Sequence, residues 1–422
     1  MSPFQPEVLM IGGGMIAHDQ ILPSLYQLQR TGAIGQITVC ALNGRTVKAL
    51  ADNEMIRRAF PGMSFRAFPP LDGDLDAAHP ALYRELLARH PKRNIVVVAL
   101  PDQLHFEAIM ASLENDQHVM TVKPLVLKAG QARQIEAVAR ERSLVVGIEY
   151  HKRFDDRSLL ARRRYREGMF GEFKLGTARM MEKWYYRHSN FQNWCTTGNS
   201  DAFTYVGCHY VDLTHFITGL LPVSVSVYGI VDRYPNGNQG YLWTDARVIW
   251  NNGACLNVQD SLSFPDEAPG TNTQGLTMYF SGDNKGAWLE HSDQYRGLRY
   301  CYLNRPDGPG ATTFAEPSTD YFQYVDVGGP GLQPVGYGLR SIEYITRAIL
   351  RVEQAPPNER PAILREFDEA GVMATPANSF FNELVIEAGR LSILNGGREA
   401  EIVYGDPPVV RLRGADRGNQ SA

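Results

Sequence analysis

Residues 7–28 read EVLMIGGGMIAHDQILPSLYQL. Val8 to Ile11 form a short apolar run that Gly12, Gly13 and Gly14 end. Ile16, Ile21, Leu22, Leu25 and Leu28 then recur every three or four residues, the spacing of one helix face. Strand, glycine turn and helix in that order, with Gly12, Gly14 and Ala17 in a G-x-G-x-x-[G/A] frame, is the pattern of a dinucleotide-binding turn. Gly12 is expected to make the tight turn. Gly14 is expected to let a pyrophosphate approach the helix N-terminus, and Ala17 to let that helix pack closely on the strand. Met15 and Ile16 complete the expected cofactor-binding turn.

The same alternation continues to about residue 150. Strands are expected at QITVCAL (36–42), NIVVVAL (94–100), HVMTV (118–122) and SLVVGIEY (143–150), and helices at 45–60, 104–116 and 130–142. Strands that are apolar throughout and alternate with helices specify a parallel sheet covered on both faces. Residues 1–150 are therefore read as a Rossmann domain of α/β class. Ligands gather at the carboxyl ends of such strands, which is where LPDQLH (100–105) and VKPL (122–125) fall.

The 422 residues exceed what one compact core usually holds, so a second domain is expected over 151–422. Its texture differs. After a helix at 155–168 come alternating segments at 172–181, 222–231, 241–250, 254–264, 275–282 and 286–292, with turn residues at Asn251–Gly253 and at Asp283–Lys285. These predict hairpins of an open, predominantly antiparallel sheet in an α+β domain. Residues 305–320 read as a surface loop and 413–422 as a frayed tail.

A net charge of −4 with 21% charged residues gives no electrostatic case for nucleic acid or an anionic membrane. No run of about 18 apolar residues occurs, and the apolar start is too short and glycine-rich for a secretory signal, so a cytoplasmic protein is expected. The five cysteines, Cys40, Cys195, Cys208, Cys255 and Cys301, are scattered and odd in number. That argues for reduced thiols and against a disulfide framework or a metal site.

Four stretches in order, IGGGMIA (11–17), VVVALPDQLHFEAIMASLENDQHVMTVKPL (96–125), VVGIEYHKRF (145–154) and TYVGCHYVDLTHFITG (204–219), resemble the glucose-fructose oxidoreductase/inositol dehydrogenase/MocA family. The resemblance implies a Rossmann domain followed by an open sheet that covers the nicotinamide. It also implies oxidation or reduction of one carbon of a sugar, polyol or glycoside, and a homo-oligomer, dimer or tetramer, through the open sheet.

In that family the lysine of a Glu-Lys-Pro motif reaches the reacting hydroxyl. Lys123 and Pro124 match, and Val122 replaces the glutamate. Lys123 is thus expected to be catalytic and to touch the cofactor, with Leu100, Pro101 and His105 as further cofactor residues. A positioned ammonium can exchange the hydroxyl proton and stabilise a developing alkoxide. The family's Asp-x-Gly-x-His-x-x-Asp helix is matched by Gly207, His209 and Asp212, with Tyr205 where the first Asp stands. His209 and Tyr205 are the remaining catalytic candidates, and Asp212 reads as a structural partner. Tyr205 can hydrogen-bond but supplies no carboxylate.

Aromatic faces at Trp184 and Tyr186 suit the apolar side of a sugar, while Arg187 and Asn193 suit its hydroxyls. His151 and Lys152 of EYHKRF are further substrate candidates beside Tyr205 and His209. The end of the second strand offers Asn43 and Arg45 but no carboxylate, so NAD and NADP both remain open. The expected function is an NAD(P)-dependent dehydrogenase. The rivals are a hydrolase of the same family that works by transient oxidation and elimination, and a non-catalytic sugar or dinucleotide sensor.

Overall fold

The computed structural model describes residues 4–267, 272–282, 285–292, 299–302, 312–315 and 319–414. The turn at Asp283–Asn284, most of the 305–320 loop and the tail beyond residue 414 lie outside the described residues. The chain forms two compact units. One holds Met1–Asp155 and Thr319–Phe380, the other Asp156–Ser318 and Phe381–Ala422.

The first unit is built on six parallel strands: β1 (Val8–Ile11), β2 (Ile37–Cys40), β3 (Arg66–Phe68), β4 (Ile95–Val98), β5 (His118–Val122) and β6 (Val146–Glu149). Their order is β3-β2-β1-β4-β5-β6, with the reversal of direction between β1 and β4. All residues of β1, β4 and β6 are buried, as two covered faces require. The helix expected over 45–60 is two helices, Gly44–Ala51 and Glu54–Ala59, because Asn53 caps a new start by accepting a hydrogen bond from the Ile56 amide.

The expected division at residue 150 is corrected in two ways. The unit runs on to Asp155, and the chain returns to it at Thr319. The physical reason is the exposed flank of the last strand. Helix Tyr337–Gln354 buries Ile342, Ile345, Ile349 and Val352 in the same core as the N-terminal strands. A side chain at Gly147 of β6 would lie 2.6 Å from Ile345 Cγ2, so the glycine is what lets the helix approach.

That returning helix is also tied by charge. Glu353 accepts from Arg93 Nη2 at 2.7 Å and from His118 Nε2 at 2.9 Å, while His118 Nδ1 accepts from the Val145 amide at 3.0 Å. Burial pushes the His118 pKa below its ordinary 6.5, outweighing the pull of Glu353, so its imidazole is neutral. Burial also works against the Glu353 carboxylate, but the hydrogen bonds from His118 and Arg93 hold its pKa down to about 2 from 4.5.

In the unfolded chain His118 takes up a proton below 6.5, which costs stability as pH falls through that value. Glu353 stabilises fully above 4.5 and loses that contribution as pH falls toward about 2. Denaturant midpoints are therefore expected to fall steadily from about pH 7 to about pH 4. In Glu353→Gln the loss below about pH 4.5 that Glu353 causes should disappear while the His118 slope above it stays, and stability near neutrality should drop by roughly 2–3 kcal/mol. A parental midpoint that is flat across that range would contradict the assignment.

The second unit carries an eight-stranded sheet. It contains β7 (Glu172–Lys183), β8 (Pro222–Arg233), β9 (Gln239–Trp250), β10 (Cys255–Phe264), β11 (Thr273–Gly282), β12 (Lys285–Ser292), Ala400–Val403 and Val409–Leu412. Its order is β12-β11-β7-β10-β9-β8, then the two C-terminal strands. Every neighbouring pair is antiparallel except β7 with β10, so the sheet is mixed but mostly antiparallel. Along β9 the alternation buries Leu242, Thr244, Ala246, Val248 and Trp250. Helix Phe381–Ile393 packs on β8. Leu175, Tyr228, Ile230, Trp243, Tyr279 and Trp288 are exposed. Among the described residues no helix is long and apolar enough to cross a membrane, and no cluster of His, Cys, Asp and Glu could hold a metal.

Candidate active site

In the first unit the glycine turn divides its work by position. Gly12 has φ +114, and a Cβ there would lie 2.0 Å from the Ala99 carbonyl oxygen, so only glycine fits between β1 and β4. A Cβ on Gly14 would meet no atom within 4 Å. Gly14 is exposed at the start of the helix, and that open space is a cradle that a pyrophosphate fits and a side chain would fill. Ala17 is fully buried, and Met15 and Ile16 are half-buried. The helix opens with a wide π-type turn over Ala17–Ile21 before continuing from Leu22.

At the end of β2, Asn43 caps the following helix: its Oδ1 accepts from the Thr46 amide at 3.0 Å and from Thr46 Oγ1 at 2.9 Å. Arg45 is the second residue of that helix and is engaged by Asp76. At the end of β4, Leu100 and Pro101 are half-buried. His105 differs from expectation. Its ring is fully buried, with Nδ1 2.8 Å from the Pro124 carbonyl and Nε2 2.8 Å from the Leu100 carbonyl. The imidazole ties the loop after β4 to the loop after β5, so it positions these loops where the sequence had suggested cofactor contact.

Lys123 follows the last residue of β5 and is half-buried, and the Lys123–Pro124 peptide is cis. Val122 is paired in register with Glu149 of β6. Glu149 is a carboxylate that no motif singled out, although it stands two residues before His151. It is buried and accepts from Gln20 Nε2 at 2.7 Å, Ser341 Oγ at 2.6 Å and His151 Nδ1 at 2.9 Å. Gln20 Oε1 in turn accepts from Tyr321 OH at 2.8 Å. The His151 ring stacks on Tyr337 at 5.5 Å and meets Tyr321 at 5.1 Å. Lys152 is buried, its ammonium 5.9 Å from the Tyr337 ring centre.

In the second unit His209 is buried on helix Cys208–Thr218, which is preceded by another π-type turn, Phe203–Gly207. Asp201 caps that turn by accepting from the Thr204 amide at 2.8 Å. A Cβ on Gly207 would lie 2.7 Å from Asp260 Oδ2, so the glycine admits a buried carboxylate of β10 that no local motif marks. Asp212 accepts from Asn382 Nδ2 at 2.8 Å. Tyr205 lies edge-on to Phe191 at 4.5 Å and to Trp194 at 5.7 Å.

The expected sugar-binding group is partly reassigned. Arg187 is buried, donates from Nε to the Leu262 carbonyl at 2.9 Å and from Nη1 to Asp232 at 2.6 Å, and lies 3.9 Å from the Trp184 ring centre. Asn193 is held by Asn190 and Asn236. Both side chains are thus engaged within the second unit, although Arg187 Nη2 is buried without a hydrogen-bond partner among the described residues. Trp184 is exposed, while Tyr186 stacks on Tyr185 at 4.8 Å.

Residues 7–150 match the profile of the GFO_IDH_MocA family, described as an oxidoreductase family with an NAD-binding Rossmann fold. Among curated relatives, the D-glucoside 3-dehydrogenase of Escherichia coli (strain K12) is 27% identical over 216 residues, 47% of this chain and 59% of that protein. The match thus spans less than two thirds of that relative's length. Among solved structures, GenD2 from gentamicin A biosynthesis in complex with NAD superposes with a TM-score of 0.62 at 17% identity, covering 95% of this chain and 97% of that one. Scyllo-inositol dehydrogenase from Lactobacillus casei, with bound NAD(H) and scyllo-inositol, gives 0.59 at 12% identity over 94% and 99%. At these identities the structural likeness establishes the fold.

Proposed function

We propose, for a chain whose residues 7–150 place it in the Gfo/Idh/MocA oxidoreductase family, an NAD(P)-dependent dehydrogenase that oxidises or reduces one secondary hydroxyl carbon of a sugar, polyol or glycoside. The observation that carries this reading is Lys123. It emerges from the carboxyl end of β5 in the unit that holds the glycine turn, between loops that the buried His105 fastens together. A bound nicotinamide supplies the hydride acceptor. Lys123 Nζ takes the hydroxyl proton as the carbon is oxidised, and returns it to the carbonyl oxygen in the reverse direction.

His151, oriented by Glu149, is a substrate-binding residue. His209 is inferred to serve proton transfer, and Tyr205, four residues before it, to supply a neutral hydrogen-bonding group. Trp184 offers the exposed ring for the apolar side of the substrate. The similarity to a D-glucoside 3-dehydrogenase supports a glycoside among the candidate substrates. A homo-oligomer through the exposed apolar residues of the open sheet, working in the cytosol, completes the proposal. Among the described residues Cys40, Cys195, Cys208 and Cys255 are in no disulfide, in keeping with that compartment.

The test is a panel of sugars, polyols and glycosides with NAD⁺ and NADP⁺, read for both reduced cofactor and released aglycone. Reduced cofactor formed in step with a ketone is the expected result. Aglycone release without net reduced cofactor would replace the dehydrogenase by redox-assisted glycoside cleavage. Ligand binding with neither product would leave a sensor.

A further inference from the structure

The corner where β2 ends is where a Rossmann fold meets the adenosine ribose of its cofactor. A carboxylate there suits the two hydroxyls of NAD, and a nearby arginine accommodates the 2′-phosphate of NADP. This chain has Ala41, Leu42 and Asn43 in that place, and the Asn43 oxygen is spent on capping a helix. Arg45 looks like the arginine of an NADP site until its surroundings are followed.

The segment after β3, residues 70–79, reads PLDGDLDAAH and contains three aspartates; no Lys or Arg lies between Arg66 and Arg84. It folds back over the β2 corner. The Arg45 amide donates to the Leu75 carbonyl at 3.0 Å, and the His79 amide donates to the Leu42 carbonyl at 2.7 Å. Leu75 lies so close to Gly44 that a Cβ there would be 2.8 Å from Leu75 Cδ2, which explains a glycine in the first turn of a helix. Held in this way, Asp76 takes the Arg45 guanidinium with both oxygens, Nε to Oδ1 at 2.7 Å and Nη2 to Oδ2 at 2.5 Å. Asp74 Oδ1 accepts from the Asp76 amide at 3.0 Å and fixes the turn. The corner abuts the glycine turn, because a Cβ on Gly13 would lie 3.1 Å from Thr46 Cγ2.

We propose that the Asp72–Asp76 segment makes this site select NAD(H) over NADP(H), with Asp76 as the specificity-determining residue acting through Arg45. The inference rests on the dinucleotide-binding reading of the proposed function. A 2′-phosphate has to take Arg45 away from Asp76 and then lie near two carboxylates whose charge nothing has offset. The ribose hydroxyls of NAD carry no charge and leave the pair intact. The missing carboxylate of the second strand is in effect supplied from the next connection, and the positive charge that would attract a phosphate is cancelled. Because Arg45 and Asp76 are both largely exposed, the pair contributes little to folding, so its removal reads on binding.

The test uses NADH and NADPH titrated by nucleotide fluorescence into the parent chain, Asp76→Asn and Asp76→Asn/Arg45→Gln, at low and high salt. The parent is expected to bind NADH more tightly. Asp76→Asn should narrow the gap by about tenfold through tighter NADPH binding, and adding Arg45→Gln should cancel that gain. The gap should also shrink at high salt, as it must for exposed charges. A parent that prefers NADPH, or a ratio that moves by less than about twofold in Asp76→Asn, overturns the inference while leaving the dehydrogenase reading intact. Failure of the parent to bind either nucleotide overturns both.

Discussion

Lys123→Met is expected to keep the fold and dinucleotide binding while lowering kcat by about 10² to 10⁴. Methionine nearly matches the lysine stem, and the residues that hold this turn do not depend on the ammonium. His105 bonds the main-chain oxygens of Pro124 and Leu100, and Leu125 and Val126 are buried behind them. The substitution removes the proposed proton-transfer group and keeps the stem. If Lys123 exchanges the hydroxyl proton, the loss falls on the chemical step and appears in kcat as well as in kcat/KM. Single-turnover hydride transfer within about threefold of the parent would return Lys123 to a strand-end side chain that reaches for solvent.

Gly14→Val is expected to leave thermal stability within a degree or so of the parent, roughly what an isolated surface change does, and to weaken dinucleotide binding by more than about 100-fold. The two halves of that expectation come from one observation. A Cβ at Gly14 meets no protein atom within 4 Å, so the folded chain tolerates the branch, yet on the proposed dinucleotide reading that space receives the pyrophosphate. Gly12→Ala provides the contrast. Its Cβ would lie 2.0 Å from the Ala99 oxygen, so the damage there should appear as lost stability before any question of binding arises. Calorimetry that shows parental NADH affinity in a folded Gly14→Val chain would remove the cofactor from this turn.

Much of the first unit was legible because its strands and helices announce themselves by period and its turn by three glycines. The returning helix Tyr337–Gln354 was not, since nothing in residues 1–150 says which distant segment will cover β6. The break at Asn53 was also hidden: its cap depends on a single side-chain hydrogen bond inside a continuous helical pattern. In the second unit the period-2 alternation and the Asn251–Gly253 turn gave the β9–β10 hairpin, but alternation is silent about partners, and β7 pairs in parallel with β10.

For the candidate site, sequence supplied residue types and order, whereas the structure supplies their engagements. Arg187 reads as a free guanidinium until Asp232 and the Leu262 carbonyl are placed on it. Arg45 reads as a phosphate ligand until Asp76, 31 residues on, closes over it. Glu149 carried no motif, and only folding brings Gln20, Ser341 and His151 to its two oxygens. Such charge pairings form between segments far apart in the chain, so no local spacing reports them.

The central claim is that this chain moves a hydride from a sugar, polyol or glycoside carbon to a nicotinamide that is then released reduced. The most direct measurement takes an active compound carrying deuterium on the reacting carbon and follows the label by mass spectrometry of cofactor and product. The account predicts one deuterium in the accumulated reduced nicotinamide, none on the product carbon, and a slowed single turnover. Deuterium that remains in the sugar or passes to solvent, with no labelled reduced cofactor accumulating, would contradict it.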